Sequence, residues 1–196
     1  QDNTTLRFAV KEVWSLAWPT ILTMTSFTVM QFTDRLMVGQ IGKVEIAAQG
    51  NAGTWAFAAI ATAMGIVTVV NTYVSQHLGA GEPQKGSKYP WNAGWMALAC
   101  WIVFIVPCVF IVPFVFETIN PEQGDAKLVS LESMYAIYML LGSLFLLTGR
   151  GFTQYFLGMH MPKVITVSTI AANIVNISAN YILIFGEEGI PGLVQG

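Results

Sequence analysis

Val13-Trp14-Ser15-Leu16-Ala17-Trp18-Pro19-Thr20-Ile21-Leu22-Thr23-Met24-Thr25-Ser26-Phe27-Thr28-Val29-Met30-Gln31-Phe32-Thr33 carries no charge, and Asp34 closes it. A helix needs about 20 mainly apolar residues to cross a bilayer. The run therefore predicts a membrane helix with a carboxylate near one end. Such an acid costs about 2.5–3.5 kcal/mol at the bilayer centre and less near the interface. An acid kept in that position is a functional-site hypothesis, and Asp34 is the first candidate.

The shortage of charge extends over the whole chain. Of 196 residues, 54% are hydrophobic and 10% charged, and the mean hydropathy is +0.58. Soluble domains carry about 25% charged residues, so the chain reads as an all-α, polytopic membrane bundle. Further spans are expected within 46–76, 89–116, 131–157 and 164–185, which makes about five transmembrane helices in one transmembrane domain over 1–196. No strand-like alternation competes with this reading. The net charge of −2 gives no basic footprint for nucleic acid. Cys100 and Cys108 lie in one apolar run without metal or redox spacing. No signal peptide is expected, because the first apolar run is too long and has no small-residue cleavage pattern.

Turns are predicted at His77–Pro83, Asn120–Asp125 and Gly186–Gly192, where Gly and Pro interrupt the helices, and Met161-Pro162-Lys163 is expected to start the fifth helix with Pro near its first turn. Arg7, Lys11, Lys85, Lys88 and Lys163 fall on one side of the predicted membrane. Arg35, Lys43 and Lys127 fall on the other, beside most of the acids. The excess of positive charge assigns the first side, and the N-terminus, to the cytoplasm. Trp14, Trp18, Trp91 and Trp95 then sit where interfacial anchors belong.

The polar residues inside the spans are the candidate site. Burial disfavours the charged form of a carboxylate, so a secluded acid can take up H⁺, whereas Na⁺ would stabilise the charge. The two cations would compete for Asp34. Asn173, Asn176 and Asn180 share one helix face at i, i+3 and i+7. Lipid cannot pair three amides, so that face must meet protein or water. Interhelical hydrogen bonding and cation coordination through the amide oxygens both remain open. Pro19 removes a backbone hydrogen bond and predicts a helix bend. Gln31, Asn51, Tyr138 and Gln154 are candidate cavity-lining groups. Gly50, Gly53 and Gly65 suggest close helix contact, and His77 and His160 read as solvated helix-end residues. No catalytic motif, nucleotide loop or metal motif is present, so an enzyme and a cofactor are not expected.

In order, Leu16-Ala17-Trp18-Pro19, Asp34-Arg35-Leu36-Met37-Val38-Gly39-Gln40-Ile41-Gly42, Ala47-Ala48-Gln49-Gly50, Val74-Ser75-Gln76-His77-Leu78-Gly79-Ala80-Gly81 and Asn176-Ile177-Ser178-Ala179-Asn180-Tyr181-Ile182-Leu183-Ile184-Phe185-Gly186 resemble the multidrug and toxic compound extrusion (MATE) family. The resemblance implies an antiporter that exports organic cations, including drugs, in exchange for H⁺ or Na⁺ across the cell (inner or plasma) membrane. It implies twelve helices in two six-helix lobes. An acid matching Asp34 would form the cation site, helped by amides matching Asn176 and Asn180, and the first helix would bend at Pro19. Asn173, Gln154 and Tyr138 match family ligands less closely. The chain corresponds to an incomplete N-terminal lobe, and transport would need the second lobe in cis or in trans. Two other readings are a lipid-linked precursor flippase, which should have a strongly basic cavity, and a non-transporting membrane assembly or scaffold subunit.

Overall fold

The computed structural model describes residues 2–119 and 126–185. The turns expected at 120–125 and 186–192 lie outside the described residues. All regular structure described is helical: α1 (Asp2–Ile41), α2 (Lys43–Val67), α3 (Val69–Gly79), α4 (Pro83–Gly86), α5 (Tyr89–Cys100), a π-helical turn (Trp101–Ile105), α6 (Val106–Ile119), α7 (Ala126–Gly158) and α8 (Pro162–Phe185). The turn at Ala80–Glu82 falls as expected, and α8 begins at Pro162 as expected, after a turn at Met159–Met161.

Four stretches are long and apolar enough to cross a membrane: Lys43–Gly79, Pro83–Ile119, Ala126–Gly158 and Pro162–Ile184. They match the second to fifth expected spans. The first expected span is embedded in α1, which is 40 residues and about 60 Å long at 1.5 Å per residue. It is not one of the four, because Thr, Ser, Trp, Pro and Gln dilute its apolar content.

The chain divides into two compact units, one containing α1 and α8 and the other the helices between Gly42 and His160. In the larger unit, α7 packs against α2, α3, α5 and α6. Two complementary stripes explain this. Ala48, Ala52, Ala56, Ile60, Ala63, Val67, Val70 and Val74 recur every three or four residues along α2 and α3, and all are buried. Glu132, Ala136, Leu140, Ser143, Leu147, Gly151, Gln154 and Gly158 form the matching buried stripe of α7. Both follow the 3.6-residue period that places side chains on one helix face.

Small side chains on these stripes allow the close approach. A Cβ on Gly151 would lie 2.6 Å from Ala93 Cβ, and one on Gly158 would lie 2.8 Å from Val74 Cβ. The expected contacts at Gly50 and Gly65 are not seen, since both face open space, and Gly53 has only Tyr135 nearby at 3.8 Å. Alanines of α2 and glycines of α7 provide the small surfaces instead.

The π-helical turn has a local cause. Pro107 has no N–H to donate to the preceding turn, and just before it the ladder slips by one residue, with Val106 N–H donating to Trp101 O. Trp101 Nε1 donates to Leu140 O at 3.1 Å and ties the turn to α7. Cys100 is buried and Cys108 half-buried, and both are free thiols.

In the smaller unit α1 and α8 run parallel. Pro19, Ser26 and Asp34 on α1 meet Thr166, Asn173 and Asn180 on α8, at sequence offsets of 147, 147 and 146. A near-constant offset is the mark of parallel helices in register. The steps of seven along α8 are two helical turns, so the contacts return to one seam.

Candidate cation site

The seam between α1 and α8 is built from polar side chains. At one end, the Thr166 hydroxyl lies 3.0 Å from Pro19 O and 3.1 Å from Pro162 O. The Thr23 hydroxyl lies 2.9 Å from Pro19 O and 3.0 Å from Thr166 Oγ1. Each hydroxyl has one proton and can accept others. Thr23 donating to Thr166, and Thr166 donating to Pro19 O, links both helices at the proline. Pro19 is fully buried there, and it cannot donate to the carbonyl one turn earlier.

Two turns further on, Asn173 Nδ2 donates to Ser26 Oγ at 2.6 Å, and Asn173 is buried. Asp34 comes next along the seam. Asn180 Nδ2 donates to Asp34 Oδ1 at 2.9 Å and to Asn176 Oδ1 at 3.3 Å. Both hydrogens of one amide are thereby used, one across the seam and one along α8. Asp34, Asn176 and Asn180 are all half-buried. The face expected for the three asparagines therefore meets α1, and the acid expected on the first helix stands against it. No ion pair among the described residues joins Asp34 to Arg35, as their divergence on a helix requires.

The cluster contains one carboxylate and two carboxamides, all with oxygen donors. In the present orientation an N–H of Asn180 faces the acid, which suits hydrogen bonding to a carboxyl group. Turning that amide over would present Asn180 Oδ1 beside the two Asp34 oxygens. Hard cations prefer such an oxygen-rich set, so the residues present fit Na⁺ as well as H⁺.

The remaining candidates lie apart from this cluster. Gln31 is exposed on α1. Asn51, on α2, donates through Nδ2 to Glu132 Oε1 at 2.7 Å. Tyr138 is exposed and lines a shallow hollow of about 590 Å³ between α6 and α7, with Pro113, Glu117 and Met134. Gln154 is 2% exposed. With its amide oxygen turned towards Arg150, it accepts from that guanidinium at 3.1 and 3.3 Å. Gln154 therefore bonds within its own helix, to Arg150. His77, expected to be solvated, is half-buried, with Nε2 3.1 Å from the Tyr89 hydroxyl.

Sequence reasoning missed four polar residues that the fold places in contacts. Thr23, Ser26 and Thr166 complete the seam, and Glu132 is a fully buried acid. The heptad-like step from Pro19 to Ser26 is a signal that could have found the seam. The phase of the α7 stripe, in which Glu132 is the first position, is another.

Four membrane-compatible stretches and an acid–amide cluster define a multi-pass membrane protein with a polar seam inside its helical part. The chain belongs to the MatE family, whose pattern matches residues 19–182. It is similar to a probable multidrug resistance protein NorM of Neisseria meningitidis serogroup A, with 29% identity over 94% of this chain and 39% of the relative. A protein of the same name from Pseudomonas syringae pv. tomato is 31% identical over 94% of this chain and 40% of its own length. Another, from Synechococcus sp., is 24% identical over 96% of this chain and 40% of the relative. The chain thus spans about two fifths of the length of these relatives. No solved structure matches it.

Proposed function

We propose that this chain forms part of the N-terminal lobe of a cation-coupled antiporter that exports organic cations. The observation that carries the reading is the bond from Asn180 to Asp34 at 2.9 Å, set in a continuous polar seam between parallel helices. Asp34 is the cation-exchanging group. Asn180 holds it and is itself bonded to Asn176, and Asn173 and Ser26 fix the register beside it.

Loading H⁺ or Na⁺ cancels the charge on Asp34 and changes what Asn180 should present. H⁺ turns one carboxylate oxygen into a donor, and Na⁺ favours an amide oxygen in place of the N–H. Either change alters the contacts along the seam, and Pro19, with its missing rung, is the place where α1 yields. In the proposed cycle the cation enters from outside, α1 repacks, and the organic cation loses its binding site and leaves outward. The transmembrane potential supplies about 2.3 kcal/mol per charge per 100 mV to that exchange.

Export requires a second lobe that moves against this one. The protein would lie in the cell (inner or plasma) membrane with its N-terminus cytoplasmic, as the Lys and Arg bias implies. The test is proteoliposome flux of a fluorescent organic cation under an imposed H⁺ or Na⁺ gradient, with the chain joined to a second lobe. Gradient-driven flux should be present in the wild type and absent in Asp34→Asn. Equal flux in the two would overturn the reading.

A further inference from the structure

The buried acid of the larger unit belongs to a second polar site that the exchange mechanism does not use. Glu132 sits in the second turn of α7 and is 1% exposed. Its carboxylate accepts from Asn51 of α2 at 2.7 Å. A cavity of about 280 Å³ opens beside this pair, lined by Asn51, Thr54, Trp55, Phe116, Ile119 and Glu132. All six residues belong to α2, α6 and α7, inside one compact unit.

We infer that this cavity binds a small organic ammonium ion, with its charged head held by Glu132, Asn51 and Thr54 and its apolar body between Trp55 and Phe116. The chemistry of the wall supports this assignment. Asn51, which lines the cavity, uses an N–H on Glu132, and its amide oxygen remains an acceptor. Thr54 donates its proton to Gly50 O at 2.8 Å, so its oxygen also acts as an acceptor. An ammonium group has three protons to give and no lone pair, which is the complement of a carboxylate, an amide oxygen and a hydroxyl oxygen. The aromatic rings offer negative π-faces to a cation and flat area to a ring.

Sites for drug-sized molecules run from about 300 to 1,000 Å³. A cavity of about 280 Å³ has room for a one-ring amine. The site shares no residue with the Asp34 cluster, so it can exist whether or not Asp34 exchanges cations.

The experiment is a calorimetric titration of the full chain in lipid nanodiscs with phenethylammonium chloride, and with 2-phenylethanol as the neutral match. The ammonium should bind at least tenfold more tightly than the alcohol. Glu132→Gln should remove most of that preference, and Trp55→Leu should weaken both ligands several-fold. Equal binding of the two probes or unchanged affinity in Glu132→Gln would overturn the inference. Trp55 is half exposed, so if Glu132→Gln fails to fold, unchanged affinity in Trp55→Leu overturns it too.

Discussion

The two compact units of this chain are each held together in a different way. Between Gly42 and His160 the helices meet through alanine, glycine and branched apolar side chains, and every buried hydrophobic side chain described lies there. Between α1 and α8 the buried groups are Pro19, Thr166 and Asn173, and the contacts are side-chain hydrogen bonds. Apolar packing is close and has one good arrangement, so it resists change. A hydroxyl or amide can exchange one partner for another at small cost, and hydrogen bonds between membrane helices average only about 0.6 kcal/mol. The comparison assigns rigidity to the larger unit and rearrangement to the α1–α8 seam.

The most damaging change should fall in the rigid unit. Gly151→Val puts a branched side chain where even a Cβ would be 2.6 Å from Ala93. Overpacking costs about 1–3 kcal/mol, occasionally more, and here the obstacle is the wall of a neighbouring helix. Thermal unfolding in detergent should show a large fall in midpoint, or no folded protein. A midpoint equal to the wild type would mean that α5 and α7 can separate freely, and the contrast between the units would fail.

A swap sharpens the same comparison from the other side. Asp34→Asn combined with Asn180→Asp moves the carboxylate across the seam and keeps one acid facing one amide. A seam that tolerates rearrangement should keep its stability within about 1 kcal/mol and regain part of the gradient-driven flux that Asp34→Asn loses. If the swap behaves like the single Asp34→Asn variant, the position of the acid on α1 matters and not the pair.

A smaller effect than that of Gly151→Val belongs to each of the bonds that set register. Asn173→Ala removes the bond to Ser26, and Thr166→Val removes the link to Pro19 O. Each should cost about 0.6–1.7 kcal/mol, measured by thermal unfolding. The double variant should cost the sum of the two, because the bonds lie two turns apart and share no partner. A cost well above that sum would mean that the seam breaks as one unit.

Much of this is legible in the sequence, for physical reasons. Asp34 stands out because charge is scarce inside an apolar run, and the three asparagines stand out because 3.6-residue periodicity places them on one face. Lipid cannot satisfy those amides, so their pattern alone implies a partner helix. That Asn173 and Asn180 reach across while Asn176 accepts from its own helix depends on the register of α1 against α8, which neither helix encodes alone. Glu132 is hidden from such reasoning because it lies near a predicted helix start, where an acid is usually solvated. Its burial follows from Asn51, 81 positions away. The glycines of α2 mislead because small residues permit contact without showing which helix supplies it. Gly151 and Gly158 supply it because they fall in the buried stripe of α7. Gln154 reads as a cavity group from its polarity alone, whereas its partner is Arg150, one turn away on the same helix.

The most direct test is an infrared difference measurement on the protein in lipid, comparing spectra with and without Na⁺ and across a pH titration, in wild type, Asp34→Asn and Asn180→Ala. A carboxyl band that responds to H⁺ or Na⁺ in the wild type, vanishes in Asp34→Asn and shifts in Asn180→Ala is the predicted result. Wild-type and Asp34→Asn spectra with the same cation response would contradict the claim that this acid, held by its amide, is where the cation exchanges.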